Sequence, residues 1–109
     1  MSTNEANISA TNVKVYERVK LGEHAEATLV SDTRERPAYG GLTYRVVVRG
    51  RWLADLCVTR AEAGTPYRAS VGWAAWEPKA VSVAFDVANA LTAAAELGHG
   101  LAEKLNAAA

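Results

Sequence analysis

The feature that most constrains the fold of this chain is a change of hydrophobic period close to Pro78. Before Pro78, apolar residues recur at every second position in short segments such as "VKVYERVKL" and "LTYRVVV". After it, Ala84, Val87, Leu91 and Ala94 recur at spacings of three and four. A period of two is typical of a half-buried strand, and a period near 3.6 of an amphipathic helix. The chain is therefore predicted to form strands first and then a helix.

The strand region divides into five predicted strands, at about 13–21, 25–31, 42–49, 52–59 and 67–76. The predicted core positions are Val13, Val15, Val19, Leu21, Ala25, Ala27, Leu29, Leu42, Tyr44, Val46, Val48, Trp52, Ala54, Leu56, Val58, Tyr67, Ala69, Val71, Trp73 and Ala75. For the fourth strand the sequence does not decide which face is buried, because Leu53 and Cys57 on the opposite face are apolar too. Residues 32–41 are rich in Pro, Gly and charge, which predicts a loop and the least ordered internal segment.

One long helix is predicted from Pro78 onward, because proline suits the first helical turn and the residues that follow are dominated by Ala, Leu, Glu and Lys. The β-branched segment "VSVAF" at 81–85 allows an alternative, a short sixth strand. Gly98 and Gly100 predict a kink or a break, since a glycine inside a helix costs about 1 kcal/mol relative to alanine.

The expected fold is α+β, with a single antiparallel sheet of about five strands in meander order, covered by the C-terminal helix. The chain has 109 residues, half of them hydrophobic, which fits one domain at 12–109 with its own core. Residues 1–11 are polar and are expected to be a disordered tail. No signal peptide or membrane span is recognisable, and the lone Cys57 permits no internal disulfide, so a cytoplasmic protein is expected.

Motifs for catalysis or metal binding are not recognisable in the sequence. "YGG" and "GHG" lack the strand-to-helix context of a phosphate-binding loop, and His24 and His99 lack the spacing of a zinc site. Cys57 is expected to be a small core residue rather than a nucleophile. We therefore expect a protein that is not an enzyme and that holds no metal or cofactor.

Charge is segregated along the chain although the net charge is zero. Residues 34–68 contain seven arginines and three acids, a net charge of +4, whereas each flank carries −2. The strand alternation collects basic and aromatic residues on the face opposite the core, with Asp55 and Glu26 as the acids there. The predicted binding residues are Lys14, Tyr16, Arg18, Lys20, Arg45, Arg49, Arg68 and Trp76, with Arg51 at the rim.

Two functions fit such a face. Cations with flat rings can bind single-stranded DNA or RNA, by neutralising phosphates and stacking on unpaired bases. The same Arg, Trp and Tyr side chains are favoured in protein interfaces. The alternative is thus a regulator or inhibitor, of phage, mobile-element or immunity type, that docks on an acidic surface of a larger protein. An ordinary solvated sheet face would also carry some Lys and Arg.

A homodimer through the helix is also expected. The predicted helix is about 42 Å long, whereas a sheet of five strands is only about 20–25 Å wide. Ala90, Ala94 and Gly98 form a strip of small residues that would allow close approach of a partner. The predicted dimer residues are Leu91, Ala94, Gly98, Leu101 and Leu105.

Overall fold

The computed structural model describes residues 15–73 and 81–108, without the side chains of Trp73 and residues 81–86. Its elements are the strands β1 (Arg18–Lys20), β2 (Ala25–Asp32), β3 (Gly41–Val48), β4 (Arg51–Thr59) and β5 (Arg68–Trp73), and the helix α1 (Val81–Ala108). The predicted tail at 1–11, together with Val13, Lys14, Ala75, Trp76 and Pro78, lies outside the described residues.

The five strands form one antiparallel sheet in the order β1-β2-β3-β4-β5, and α1 packs on one face of it. The predicted α+β meander with a covering C-terminal helix is therefore confirmed. The helix contacts β5 and β4 most extensively and reaches β3 and β2 as well. The opposite face of the sheet, which we call the outer face, carries no helix in the described part of the chain.

The core lies between the sheet and α1. Leu42, Tyr44, Val46 and Val48 of β3 are fully buried, as predicted, because a central strand is covered on both edges and by the helix. Burial also raises the pKa of the Tyr44 hydroxyl above its ordinary value. On α1 the buried residues follow the predicted helical spacing: Val87, Ala90, Ala94, Leu101, Ala102 and Leu105.

A β-bulge in β4 changes the prediction for that strand. Val46 pairs with Ala54 whereas Val47 pairs with Trp52, so Leu53 is an extra residue in the ladder. Leu53 and Ala54 are both fully buried, and Trp52 is transferred to the other side. The prediction that Trp52 belongs to the core is therefore wrong: its side chain is 46% exposed, on the outer face.

The helix α1 is continuous from Val81 to Ala108, so neither the sixth strand at 81–85 nor a break at Gly98–Gly100 is present. Gly98 is buried against the sheet. A Cβ built on it would lie 2.8 Å from Leu56 Cδ1 and 2.9 Å from Ala69 Cβ. Glycine is needed at this position because the helix approaches β4 and β5 closely, not because the helix ends.

The predicted dimer residues need the same correction. Ala94, Gly98, Leu101 and Leu105 are buried within the monomer, where they cover its own sheet, and Leu91 is partly buried against the same core. The strip of small residues lets α1 approach β4 and β5 of the same chain. Its small side chains are therefore no longer a reason to expect a second chain at this position. A homodimer stays a prediction, without these residues as its interface.

The C-terminal end of α1 is attached to the start of β5 by one side chain. The Tyr67 N–H donates to Asn106 Oδ1 at 2.8 Å, and Asn106 Nδ2 donates to the Tyr67 carbonyl at 3.3 Å. A single amide thus satisfies both backbone groups of the residue that precedes β5.

The loop between β2 and β3, predicted to be the least ordered internal segment, is fixed by hydrogen bonds. Thr33 N–H donates to the Gly41 carbonyl at 2.7 Å, and Gly41 N–H donates to Thr33 Oγ1 at 3.2 Å. Asp32 holds Arg34 through Oδ1 and Oδ2, at 3.0 and 3.1 Å. From the other side, Arg60 Nη2 lies 3.4 Å from both carbonyl oxygens that it contacts, those of Arg34 and Arg36.

Candidate functional site

Side chains of the outer face follow from the register, because directly paired residues point to the same side of a sheet. Four rows cross the sheet. The rows are Lys20, Glu26, Val47 and Trp52; Arg18, Thr28, Arg45, Asp55 and Gly72; Ser31, Thr43, Cys57 and Ser70; and Gly41, Thr59 and Arg68. Charge and aromatic surface are concentrated in the first two rows, and the third row carries only small side chains.

Arg45 and Trp52 form a stacked pair on this face. The guanidinium carbon of Arg45 lies 4.3 Å from the centre of the Trp52 ring, well within the range of a cation–π interaction. The Arg45 side chain is packed by the ring on one side and faces Asp55 across the strand pair, because Arg45 and Asp55 are direct cross-strand partners.

Asp55 orients both members of this pair. Trp52 Nε1 donates a hydrogen bond of 3.0 Å to Asp55 Oδ1, and Arg45 Nε lies 3.5 Å from the same oxygen. The longer distance is that of an ion pair rather than of a good hydrogen bond. The indole is thus held at one end by its N–H and on one face by a cation, while nearly half of its surface stays exposed.

Arg18 and Lys20 extend the basic surface from β1. Arg18 Nε forms an ion pair of 2.8 Å with Glu26 Oε2 on the neighbouring strand. Within residues 15–73 and 81–108, no acid pairs with Lys20. Arg18, Lys20 and Glu26, together with Val47, His24 and Gly50, line a shallow depression of about 610 Å³. Trp52 shares the row of Lys20, Glu26 and Val47 but lies on β4, three strands and about 14 Å from Lys20.

Arg68 is the basic residue of the outer face on β5, opposite Thr59 and at the far end of the sheet. In the described part of the chain it has no ion-pair partner either. Among the described residues, the four rows contain four cations and two acids, Glu26 and Asp55. Each acid is already paired with an arginine, so the surplus charge of +2 resides in Lys20 and Arg68.

The predicted binding residues are only partly brought together. Arg18, Lys20, Arg45 and Arg68 lie in the rows of the outer face. Tyr16 is exposed and precedes β1, outside the paired residues that define the rows. The roles predicted for Lys14 and Trp76 concern residues outside the described ones.

Arg49 and Arg51 do not lie on the outer face. Arg49 and Gly50 have φ of 52° and 78°, the pair of positive values that a two-residue type I′ hairpin turn requires. Arg49 lines a depression that includes Asn89 and Ala90 of α1, so it lies at the helix side. Arg51 pairs with the core residue Val48, and its register therefore places it on that side as well. The sequence alternation failed here because β3 ends at Val48 and the bulge in β4 shifts Arg51.

Trp52 is the site residue that sequence reasoning missed. The signal available was the doublet of Leu53 and Ala54, two adjacent apolar residues in a strand whose buried face was ambiguous. Such a doublet is typical of a bulge, but alternation alone does not show on which side of the bulge the phase changes.

No group of three or more His, Cys, Asp or Glu side chains within 15–73 and 81–108 is arranged to hold a metal ion. Within the same residues, no helix combines the length and the apolar character needed to cross a membrane. No protein-family model, curated protein or solved structure matches this chain. The outer face must therefore be interpreted from its own chemistry.

Proposed function

We propose that this protein is a non-enzymatic binding protein that holds single-stranded DNA or RNA on the outer face of its sheet. The observation that supports this most directly is the stack of Arg45 on the half-exposed Trp52, on a face that also carries the uncompensated Lys20 three strands away. Indole rings and guanidinium planes are the surfaces on which unpaired bases stack, and a nearby ammonium group can contact a phosphate.

The geometry favours a single strand over a duplex. Trp52 lies in an open sheet face rather than on a helix that could enter a major groove, and a base can contact its ring only when the base is unstacked. The hydrogen bond from Trp52 Nε1 to Asp55 and the cation on the ring fix the indole before binding. Little side-chain entropy is then lost when a base stacks.

The charge distribution sets the expected strength of the electrostatic contribution. Because Glu26 and Asp55 already neutralise two arginines, only about two phosphate contacts are expected from the surplus. The logarithm of the binding constant should then fall with the logarithm of salt concentration with a slope of about −1.4, at about −0.7 per phosphate. Stacking on Trp52 contributes about 1–3 kcal/mol for one base, which depends little on salt.

The test is a titration of a fluorescently labelled oligothymidylate with the full chain at low and moderate salt, followed by anisotropy. Trp52→Ala should weaken binding about five-fold or more at every salt concentration. Lys20→Glu should weaken binding and flatten the salt dependence. Lys104→Glu is the matched control, because it makes the same charge change at an exposed position of α1, on the other side of the sheet.

Absence of binding at low salt by a folded chain would contradict the proposal. So would an equal loss in Lys20→Glu and Lys104→Glu, since that would show attraction to net charge alone. Circular dichroism and thermal unfolding of each variant establish that it has kept its fold.

A protein partner with an acidic surface is the second candidate. The observation that favours it is apolar exposure on or beside β1 and β2, the strands that carry the Arg18–Glu26 ion pair: Tyr16 is 44% and Val30 is 48% exposed. Arg, Trp and Tyr are frequent in the centres of protein interfaces. A competition experiment with polyglutamate separates the two candidates. If polyglutamate displaces the oligonucleotide and binds the wild type and Trp52→Ala equally well, recognition of an acidic protein surface is supported.

A further inference from the structure

Tyr39, in the loop between β2 and β3, has a backbone conformation that its residue type disfavours. Its φ is 57°, in the left-handed region, although its side chain is 76% exposed. A non-glycine residue pays about 1–2 kcal/mol for this conformation. Burial of the ring does not offset that cost, because most of the ring faces solvent. Such an outlier motivates a search for a ligand that the side chain would contact.

The loop presents Tyr39 in a fixed position. The Tyr39 N–H donates to the Ala61 carbonyl at 3.3 Å, and the Arg60 N–H donates to the Gly40 carbonyl at 3.2 Å. The Arg60 guanidinium packs over the Tyr67 ring, 5.0 Å from its centre. The backbone on either side of Tyr39 is thus attached to the end of β4, which fixes the place where the exposed ring leaves the surface.

Next to Tyr39 is a shallow depression of about 500 Å³ at a corner of the outer face. Two of its lining residues, Thr59 and Arg68, belong to the last row of that face, and Pro66 adds apolar surface. Arg68 is one of the two cations of the outer face that pair with no acid among the described residues. An exposed ring beside an uncompensated cation offers one surface for a base and one for a phosphate.

A strand can lie on the outer face between Trp52 and Tyr39. Two rows separate the row of Trp52 from the row of Arg68. In the first, the charges of Arg45 and Asp55 are paired with each other, and the second, of Thr43, Cys57 and Ser70, carries no large or charged side chain. From the row of Trp52 to the row of Arg68 there are six residues along β3, or about 20 Å at about 3.4 Å per residue. Several nucleotides of an extended strand would be needed to reach from one ring to the other.

We propose that Tyr39 and Arg68 form a second contact point for the same single strand, which runs along β3 and β4 from Trp52 to Tyr39. Tyr39 stacks a base and Arg68 contacts a phosphate. This inference rests on the proposed function and adds to it a direction, a minimum ligand length and two residues.

The experiment compares oligothymidylates of increasing length, from about 4 to about 16 nucleotides, on four forms of the full chain. These are the wild type, Tyr39→Ala, Tyr39→Asn and Trp52→Ala, with Arg36→Ala as a control in the same exposed loop. Tyr39→Ala and Tyr39→Asn should bind the shortest oligonucleotide like the wild type and the longer ones about five-fold or more weakly. Trp52→Ala should lose affinity at every length, and Arg36→Ala at none.

Two variants at Tyr39 are used because they separate folding from binding. Asparagine tolerates the left-handed conformation better than alanine does, so the two should differ in unfolding temperature but not in binding. A loss of affinity that followed the unfolding temperature would overturn the inference. Arg68→Ala should reproduce the length-dependent loss and reduce the salt slope by about 0.7 for the long oligonucleotides.

The outcomes also distinguish this inference from the function on which it rests. Wild-type chain that binds no oligonucleotide contradicts the proposed function itself. Wild-type binding that is unchanged in Tyr39→Ala at every length, or weakened equally at every length, leaves the function standing and overturns the second contact point alone.

Discussion

Arg45 lies over the ring of Trp52 at 4.3 Å, and both side chains contact the same oxygen of Asp55. In the sequence, Arg45 and Trp52 are seven positions apart, Trp52 and Asp55 three, and Arg45 and Asp55 ten, and no periodic pattern of a strand connects all three. Their proximity results from the bulge at Leu53, which turns Trp52 outward next to the cross-strand partner of Asp55.

The stacked pair should show a measurable coupling energy. We expect a double-mutant cycle of Arg45→Ala and Trp52→Leu to give about 0.5–1 kcal/mol of coupling in the free energy of unfolding, the range of cation–π pairs at exposed sites. Urea unfolding of the wild type, both single variants and the double variant provides the measurement. Strict additivity of the two single changes would show that the stack contributes nothing to stability.

The two glycines of α1 should respond oppositely to alanine. Gly98→Ala is expected to destabilise the protein by about 1–3 kcal/mol, because its Cβ would overlap Leu56 Cδ1 and Ala69 Cβ. The Leu56 methyl can rotate away, but Ala69 Cβ is fixed to the backbone of β5. Gly100 has no heavy atom within 4 Å of its Cβ position, so Gly100→Ala should stabilise by up to about 1 kcal/mol.

Thermal and urea unfolding of both glycine variants make this comparison. Each substitution improves helix propensity by the same amount, so the difference between them isolates the contact with the sheet. Equal stabilisation by the two would mean that the helix does not approach β4 and β5 as closely as the structure has it.

The Asn106 amide should stabilise the attachment of the start of β5 to the end of α1. Asn106→Ala removes both partners of the Tyr67 backbone, and we expect a loss of about 1–2 kcal/mol in the free energy of unfolding. Asn106→Asp keeps the acceptor for the Tyr67 N–H but loses the donor to its carbonyl. It should therefore be intermediate in stability.

Amide hydrogen exchange locates the effect of the Asn106 variants. The Tyr67 N–H should exchange faster in Asn106→Ala than in the wild type, while the amides of β3 keep their relative protection. An unchanged exchange rate at Tyr67 would contradict the assigned hydrogen bond.

Asp32 should make stability depend on pH in acid. Burial raises the pKa of its carboxyl group, but the side-chain hydrogen bond, the backbone N–H and the charge of Arg34 lower it by more, and the net direction is downward from 3.8. A carboxyl group whose folded pKa is depressed contributes stability that is present above its unfolded pKa and is lost as pH falls through its folded pKa.

Urea midpoints measured from neutral pH down through the unfolded pKa of Asp32 test this. The wild type should lose stability at the acid end, and Asp32→Asn should lose less over the same interval. Arg34→Ala should resemble Asp32→Asn, because it removes the causes of the shift. A wild type and an Asp32→Asn variant with parallel pH profiles would show that the pair is not linked to folding.

The sequence predicted those parts of the fold that depend on local periodicity. The buried residues of β3 and of α1 follow from spacings that hold over a whole element, and the short connections made a meander the natural order. Leu53 and Gly98 could not be interpreted in this way. The bulge depends on the pairing of β4 with β3, and the need for glycine at 98 depends on a helix and a sheet that are distant in sequence.

The candidate site was predicted less completely for the same reason. Arg18, Lys20, Arg45 and Arg68 occupy their expected face because each lies in a regular stretch of strand. Arg49 and Arg51 flank the hairpin turn, where alternation stops. Tyr39 could not be identified, because nothing in "RPAYGG" shows that the tyrosine, rather than one of the glycines after it, adopts the left-handed conformation.

The bulge in β4 decides which side of the sheet the residues that precede it face. With Leu53 present, Trp52 faces the outer side and Arg51 the helix; a strand shorter by that one residue would exchange them, putting an indole among the core residues and a guanidinium on the outer face. The two versions differ by a single leucine in composition. The chemistry of the outer surface therefore depends on the count of residues between the turn and Ala54, and a single deletion there would alter it more than most substitutions.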